Sequence, residues 1–96
     1  MSFGLPVQRL RETRSLIAFY HPQPTYSVHI LLVPKKALAS LSALTPADAP
    51  FLVDLFQTVQ DLVKELCLEG GGYRLIVNGG RYQDVPQLHF HLVADI

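Results

Sequence analysis

The residues best suited to chemistry stand near the end of the chain, in the run Gln87-Leu88-His89-Phe90-His91-Leu92-Val93. Successive side chains of an extended segment point to opposite faces, so Leu88, Phe90 and Leu92 share one side and Gln87, His89 and His91 the other. The first side reads as core, the second as a row of two imidazoles and a carboxamide. A neutral imidazole can attack an electrophile through its unprotonated nitrogen, donate a hydrogen bond through the other, or hold a metal ion. One histidine on a half-buried strand is usually satisfied by a backbone carbonyl. It is the His-x-His pair, backed by three large apolar residues, that marks a candidate site.

Further candidates lie upstream. His29 falls inside the apolar run Tyr26 to Val33, where a ring nitrogen is costly unless hydrogen-bonded, so it is either a satisfied core residue or part of a site wall. Asn78 precedes Gly79-Gly80, where asparagine is commonest as a turn former, and it also falls within reach of the histidine row. The run Gly70-Gly71-Gly72 does not read as a phosphate loop, because it follows a helix and enters a strand instead of opening a helix.

The elements that must position these residues follow from periodicity and punctuation. Val7 to Glu12 and Leu16 to Tyr20 read as a hairpin around Thr13-Arg14-Ser15. His21-Pro22-Gln23-Pro24 breaks the pattern. Tyr26 to Val33, apolar on both faces, reads as a central strand ended by Pro34. Thr45-Pro46-Ala47-Asp48 reads as a helix start, with Pro50 disturbing the first turn. Phe51, Leu52, Leu55, Phe56, Val59, Leu62, Val63 and Leu66 then recur at helical spacing opposite Asp54, Gln57, Gln60, Asp61, Lys64 and Glu65. The three glycines are expected to stop this helix with a left-handed cap. Tyr73 to Asn78 and the terminal segment form two more strands. The expected fold is α+β: a five-stranded, mainly antiparallel sheet with one long helix on one face. Leu88, Phe90 and Leu92 should lie beneath the helix and the histidine row on the opposite face.

At 96 residues the chain is expected to form a single domain, 1–96, with one modest core. Acidic and basic residues number eight each, so no electrostatic footprint for a nucleic-acid polymer is visible. Lys35-Lys36 and Arg9, Arg11 and Arg14 read as solvated faces. The single cysteine, Cys67, allows no internal disulfide and reads as a small core residue of the helix. No apolar run reaches the roughly 18 residues of a membrane span, and Met1 to Leu10 lacks a secretory pattern, so no membrane association and a cytoplasmic setting are expected. The apolar fraction of 49% is high for so short a chain, which points to a second copy covering part of the surface.

The terminal segment resembles the signature of the histidine triad (HIT) family, His-φ-His-φ-His-φ-φ on a C-terminal strand, matched at every position except the first, where Gln87 stands. The resemblance extends to Leu16-Ile17-Ala18-Phe19, to His29-Ile30-Leu31-Leu32-Val33-Pro34-Lys35-Lys36 and to Tyr73-Arg74-Leu75-Ile76-Val77-Asn78-Gly79-Gly80. It implies a HIT-like sheet, a homodimer whose two sheets join, and a small-molecule nucleotide or nucleotide derivative as substrate. Neither cofactor nor metal is implied. It implies hydrolysis or transfer at an α-phosphate through a covalent nucleotidyl-histidine, with His89 as nucleophile and His91 donating to the phosphate oxygens. Asn78 would hold ribose or phosphate, Gln83 would lie in the loop over the phosphate, and His29 would serve as site wall or relay.

Three positions depart from that pattern. Gln87 can donate a hydrogen bond but cannot carry a proton to a leaving group. Asp84 stands where several members have a serine facing the phosphate. His21 stands where many have an acid that grips the ribose hydroxyls, which points away from an ordinary adenosine nucleotide. Two other readings follow: a nucleotide-binding module without catalysis, and a metal site using His89 and His91 with His29 or Asp84.

Overall fold

The computed structural model describes residues 9–96. Five strands, β1 (Arg9–Glu12), β2 (Leu16–Tyr20), β3 (Val28–Pro34), β4 (Arg74–Val77) and β5 (Phe90–Ala94), form one sheet in the order β1-β2-β3-β5-β4 with every pairing antiparallel. Val7, the expected start of the first strand, lies outside the described residues. The second strand runs where its apolar residues place it. The central position of β3 accounts for its composition, since all seven of its residues are buried.

The helix α1 (Ala49–Glu65) follows a short 3₁₀ turn, Pro46–Asp48. Pro50 is tolerated because a first-turn N–H has no partner within the helix. Asp48 organises this entry: its buried carboxylate accepts the Thr45 N–H at 2.9 Å and the Lys36 ammonium at 2.8 Å. Those contacts, Lys36 first, hold its carboxyl below the ordinary carboxylate range. Asp54 accepts hydrogen bonds from the Thr13 and Ser15 hydroxyls and so fastens the β1–β2 turn to the helix.

Phe51, Leu55, Val59, Leu62 and Val63 of α1 pack on Leu16, Ala18, Ile30, Leu32, Phe90 and Leu92 of the sheet, with Leu88 in the same cluster. Burial of each such leucine contributes about 2 kcal/mol. The expected placement of Leu88, Phe90 and Leu92 beneath the helix is therefore what the fold adopts. Phe56 was expected in the buried stripe but is 56% exposed, because the sheet covers only the arc centred on Leu55, Val59 and Leu62.

The helix also ends differently from expectation. Its left-handed residue is Cys67, at φ 55°, rather than one of the three glycines. Leu68 N–H reaches the Val63 carbonyl and Cys67 N–H the Lys64 carbonyl, the paired bonds of a Schellman cap. Leu68 and Val63 are both buried in the main core, so closing their contact is what places the turn five residues before Gly72. Cys67 is consequently exposed, and the expectation of a core cysteine does not hold. Among the glycines, Gly72 adopts φ 94° as the chain turns towards β4.

Candidate active site

The face of the sheet turned away from α1 carries the chemistry. In β5 the residues Phe90, Leu92 and Ala94 enter the main core, which leaves His91 and Val93 on the other side. His89 lies one residue before the strand and continues that alternation. Register then brings in His29: it pairs with Val93, while Leu31 pairs with His91, so the two imidazoles are diagonal neighbours on adjacent strands. His29 is buried beside His91 with both ring nitrogens hydrogen-bonded, so its ring is satisfied where it stands.

The fourth histidine completes the group. His21 sits just beyond β2 and donates its N–H to the His29 carbonyl at 2.8 Å, which continues the β2–β3 ladder. Its ring lies 4.4 Å from that of His29 and 6.3 Å from that of His91, centroid to centroid. The His29 and His91 rings are 5.2 Å apart, and those of His89 and His91 5.0 Å. Sequence reasoning named His21 only as a departure from a family pattern. Its place in the cluster was readable from parity, because it follows Phe19 by two residues on a strand that neighbours the one bearing His29.

Hydrogen bonds fix where the protons sit. Thr25 N–H donates to His29 Nδ1 at 3.2 Å, so the proton of this neutral ring is on Nε2. That Nε2–H donates to His91 Nδ1 at 2.9 Å, which in turn assigns the His91 proton to its own Nε2. His91 Nε2 is buried and has no hydrogen-bond partner among the described residues. A short relay therefore starts at a backbone amide and ends in an oriented donor with nothing to receive its hydrogen. In His89, Nδ1–H donates to the Gln87 backbone carbonyl at 2.7 Å, which leaves the lone pair on Nε2. His21 Nδ1 accepts the Gln23 N–H at 2.9 Å.

Three of the rings, His91, His29 and His21, are pushed towards the neutral form. Burial, followed by the neighbouring imidazoles His89, His29 and His21, pushes His91 down to about 4. Burial also lowers His29, with His21 adding to the effect, and lowers His21, with His89 adding to it.

A cleft of about 210 Å³ opens in front of these groups, bordered by His21, Leu31, Asn78, Asp84, His89 and His91. Asn78 follows β4 directly and borders this cleft together with His89 and His91. Asp84 also borders it.

Gln87 is placed otherwise than the spacing suggested, and the Gln83 side chain is engaged within its loop. Strand β5 begins only at Phe90, and Gln87 lies in the bend before it, where alternation no longer applies. Its side chain is buried and turned to the Leu88 carbonyl at 3.5 Å, so the row of two imidazoles and an amide is not continuous. What Gln87 brings to the site is its main-chain oxygen. Gln83 braces its own loop, donating to the Ala39 carbonyl at 2.7 Å and the Val85 carbonyl at 3.0 Å.

No group of three or more His, Cys, Asp or Glu among the described residues is arranged to hold a metal ion. The ring hydrogen bonds account for this, since they engage the Nδ1 lone pairs of His21, His29 and His91. Nor is any helix among the described residues long and apolar enough to cross a membrane.

Sheet and site together define an α+β protein that gathers four hydrogen-bonded imidazoles on one face of its sheet. Comparison with known proteins gives that class a name. The family model "HIT domain" matches residues 4–95, and the chain belongs to the HIT family. An uncharacterized HIT-like protein of Synechocystis is 35% identical over 92 residues, 94% of this chain and 80% of its own. The adenosine 5′-monophosphoramidase HNT1 of Candida albicans is 36% identical over 97 residues, 93% of this chain and 62% of its own. Among solved structures, a HIT family hydrolase from Clostridium thermocellum superposes with a TM-score of 0.87 at 31% identity, covering 96% of this chain and 82% of that one.

Proposed function

We propose that this protein is a nucleotide-phosphate hydrolase or transferase that acts at an α-phosphate through a covalent nucleotidyl intermediate on His89. The observation that carries the reading is the buried Nε2–H of His91, without a partner among the described residues and 5.0 Å ring to ring from His89. A buried donor without an acceptor is destabilising on its own. A non-bridging phosphate oxygen would satisfy it, and would gain negative charge as displacement proceeds.

In the proposed chemistry the His89 Nε2 lone pair forms a bond to phosphorus while the bond from phosphorus to the leaving nitrogen or oxygen breaks. The leaving atom departs with the bonding pair and takes a proton from solvent, since Gln87 has none to give. Water then attacks the nucleotidyl-histidine, releases a proton, and returns the lone pair to Nε2. Asn78 is placed to hold ribose or phosphate from the side of β4. His29 positions His91 and fixes its tautomer. The Candida relative named as an adenosine 5′-monophosphoramidase supports a phosphoramidate substrate.

A second reading, binding without turnover, draws on Asp84. Its carboxylate borders the cleft and repels a phosphate. A metal site is disfavoured by the ring hydrogen bonds already described. We further propose that residues 1–96 act as one cytoplasmic domain that pairs with a second copy. Val53 and Phe56, exposed at 68% and 56% on one face of α1, and the outer edge of β4 are the surfaces such a copy would cover.

The test is to incubate the protein with a panel of nucleoside 5′-phosphoramidates and dinucleoside polyphosphates. Quenching with base and mass spectrometry should reveal a nucleotide-sized adduct on the peptide carrying His89. Binding of the same compounds by calorimetry, with neither adduct nor consumption, would establish the second reading instead.

A further inference from the structure

Beyond the cleft, the imidazole face continues into a trough that the proposed chemistry has not yet used. A hollow of about 220 Å³ lies between Tyr26, His29, His91, Ile76 and Val93. It adjoins another of about 380 Å³ that shares Tyr26 and Val93 and ends at Arg74, Tyr73 and Asp95. The register places Ile76 opposite His91 and Arg74 opposite Val93, and directly opposed residues of an antiparallel pair share a face. Arg74 therefore stands on the same side of the sheet as the histidines. Along β5 the positions of His89, His91 and Val93 advance by about 6.6 Å per step.

Direction follows from in-line displacement. With phosphorus held at His91 and the nucleophile arriving from His89, the bond that breaks points away from His89. Along β5 that direction leads over Val93 into the trough. Among the described residues Arg74 makes no ion pair, although Arg9, Arg11, Lys35 and Lys36 each have an acidic partner. Asp95, the acid at the same end, already accepts the Ser27 N–H at 3.2 Å.

We propose that the trough receives the leaving group, and that Arg74 selects leaving amines that carry a carboxylate or similar anion some four or five atoms from the departing nitrogen. This rests on reading His89 as the nucleophile and adds to it the class of compound released. Tyr26 and Ile76 would line the methylene portion, and a planar guanidinium suits a planar carboxylate.

Adenosine 5′-phosphoramidates of 5-aminopentanoate and 5-aminopentanamide differ only in the charge of the far end. The wild-type protein should turn over the carboxylate compound with kcat/KM about twofold to fivefold above the amide, as expected of an exposed ion pair. Arg74→Gln should bring that ratio to about one, and Arg74→Glu should reverse it, whereas Arg9→Gln at the far edge of the sheet should leave the ratio as it is. Equal rates in the wild type, or a ratio untouched by Arg74→Gln, overturn the proposal. If neither compound is turned over and no compound of the nucleotide panel leaves an adduct on His89, it is the catalytic reading that fails. Calorimetry with the same pair then decides for the trough: carboxylate preference lost in Arg74→Gln supports it, and equal affinities reject it.

Discussion

The two faces of one sheet solve opposite problems. Towards α1, Leu16, Ile30, Leu32 and Leu92 are fully enclosed among aliphatic and aromatic neighbours and bring no polar side-chain atom that needs a partner. On the far face a smaller apolar group, Phe19, Leu31, Val33 and part-buried Ile17, occupies one half, and four imidazoles occupy the other. The helix side supplies the larger apolar core, while the far side carries the histidines and, among the described residues, an unsatisfied His91 donor.

Substitutions on the two faces should therefore separate cleanly. His89→Asn is expected to lower turnover by about a thousandfold or more, as loss of a nucleophile does, with little change in the unfolding midpoint. Leu92→Ala, its near neighbour on the opposite face, is expected to cost about 2–5 kcal/mol of stability in denaturant titrations. If the two variants lost stability equally, the separation of faces would be wrong. His29→Leu should lower kcat about tenfold while changing KM less, because it removes the bond that fixes the His91 tautomer. A variant that keeps full kcat would show that His91 needs no such partner.

Acid tests the same contrast. In the unfolded chain a histidine takes up a proton near 6.5, whereas His91 in the fold is pushed down to about 4. Between those values the unfolded chain binds a proton that the folded chain refuses, so stability present above about pH 6.5 is lost as the pH falls towards 4. His21 and His29 shift in the same direction and add to the loss. Asp48 and Asp54, held below the ordinary carboxylate range, release their share at lower pH still. The unfolding temperature should fall through that window in the wild type and less steeply in His91→Asn; parallel curves would count against a neutral, buried His91. The smallest effect concerns the helix side alone: Cys67→Gly should raise stability by about 0.5–1 kcal/mol by relieving the left-handed backbone, read from chemical denaturation.

Much of this was legible in the chain because period and burial agree. The alternation from Leu88 to Leu92 and the helical recurrence of Leu55, Val59 and Leu62 each report a face that must be buried, and the structure buries it. The histidines at 89 and 91 were legible for the same reason. What escaped depended on where alternation stops. Gln87 shares the parity of His89 but lies outside the strand, and nothing in its spacing reveals the bend. The helix end was misplaced because glycine is the ordinary left-handed residue, whereas here the pull of Leu68 into the core overrides the backbone cost at Cys67. Gln83 was placed over the phosphate only through the family resemblance, and its bonds to the Ala39 and Val85 carbonyls depend on a three-dimensional proximity that spacing does not carry.

The carbonyl that aims His89 belongs to the main chain, and this separates two properties that a side-chain partner would have tied together. A residue 87 that fits the buried space of Gln87 leaves the His89 ring where it is, since every amino acid brings the same oxygen to that place. Position 87 is thus an adjustable point beside a fixed reagent. Restoring histidine there should change which leaving groups are helped to depart while the pose of His89 stays as it is.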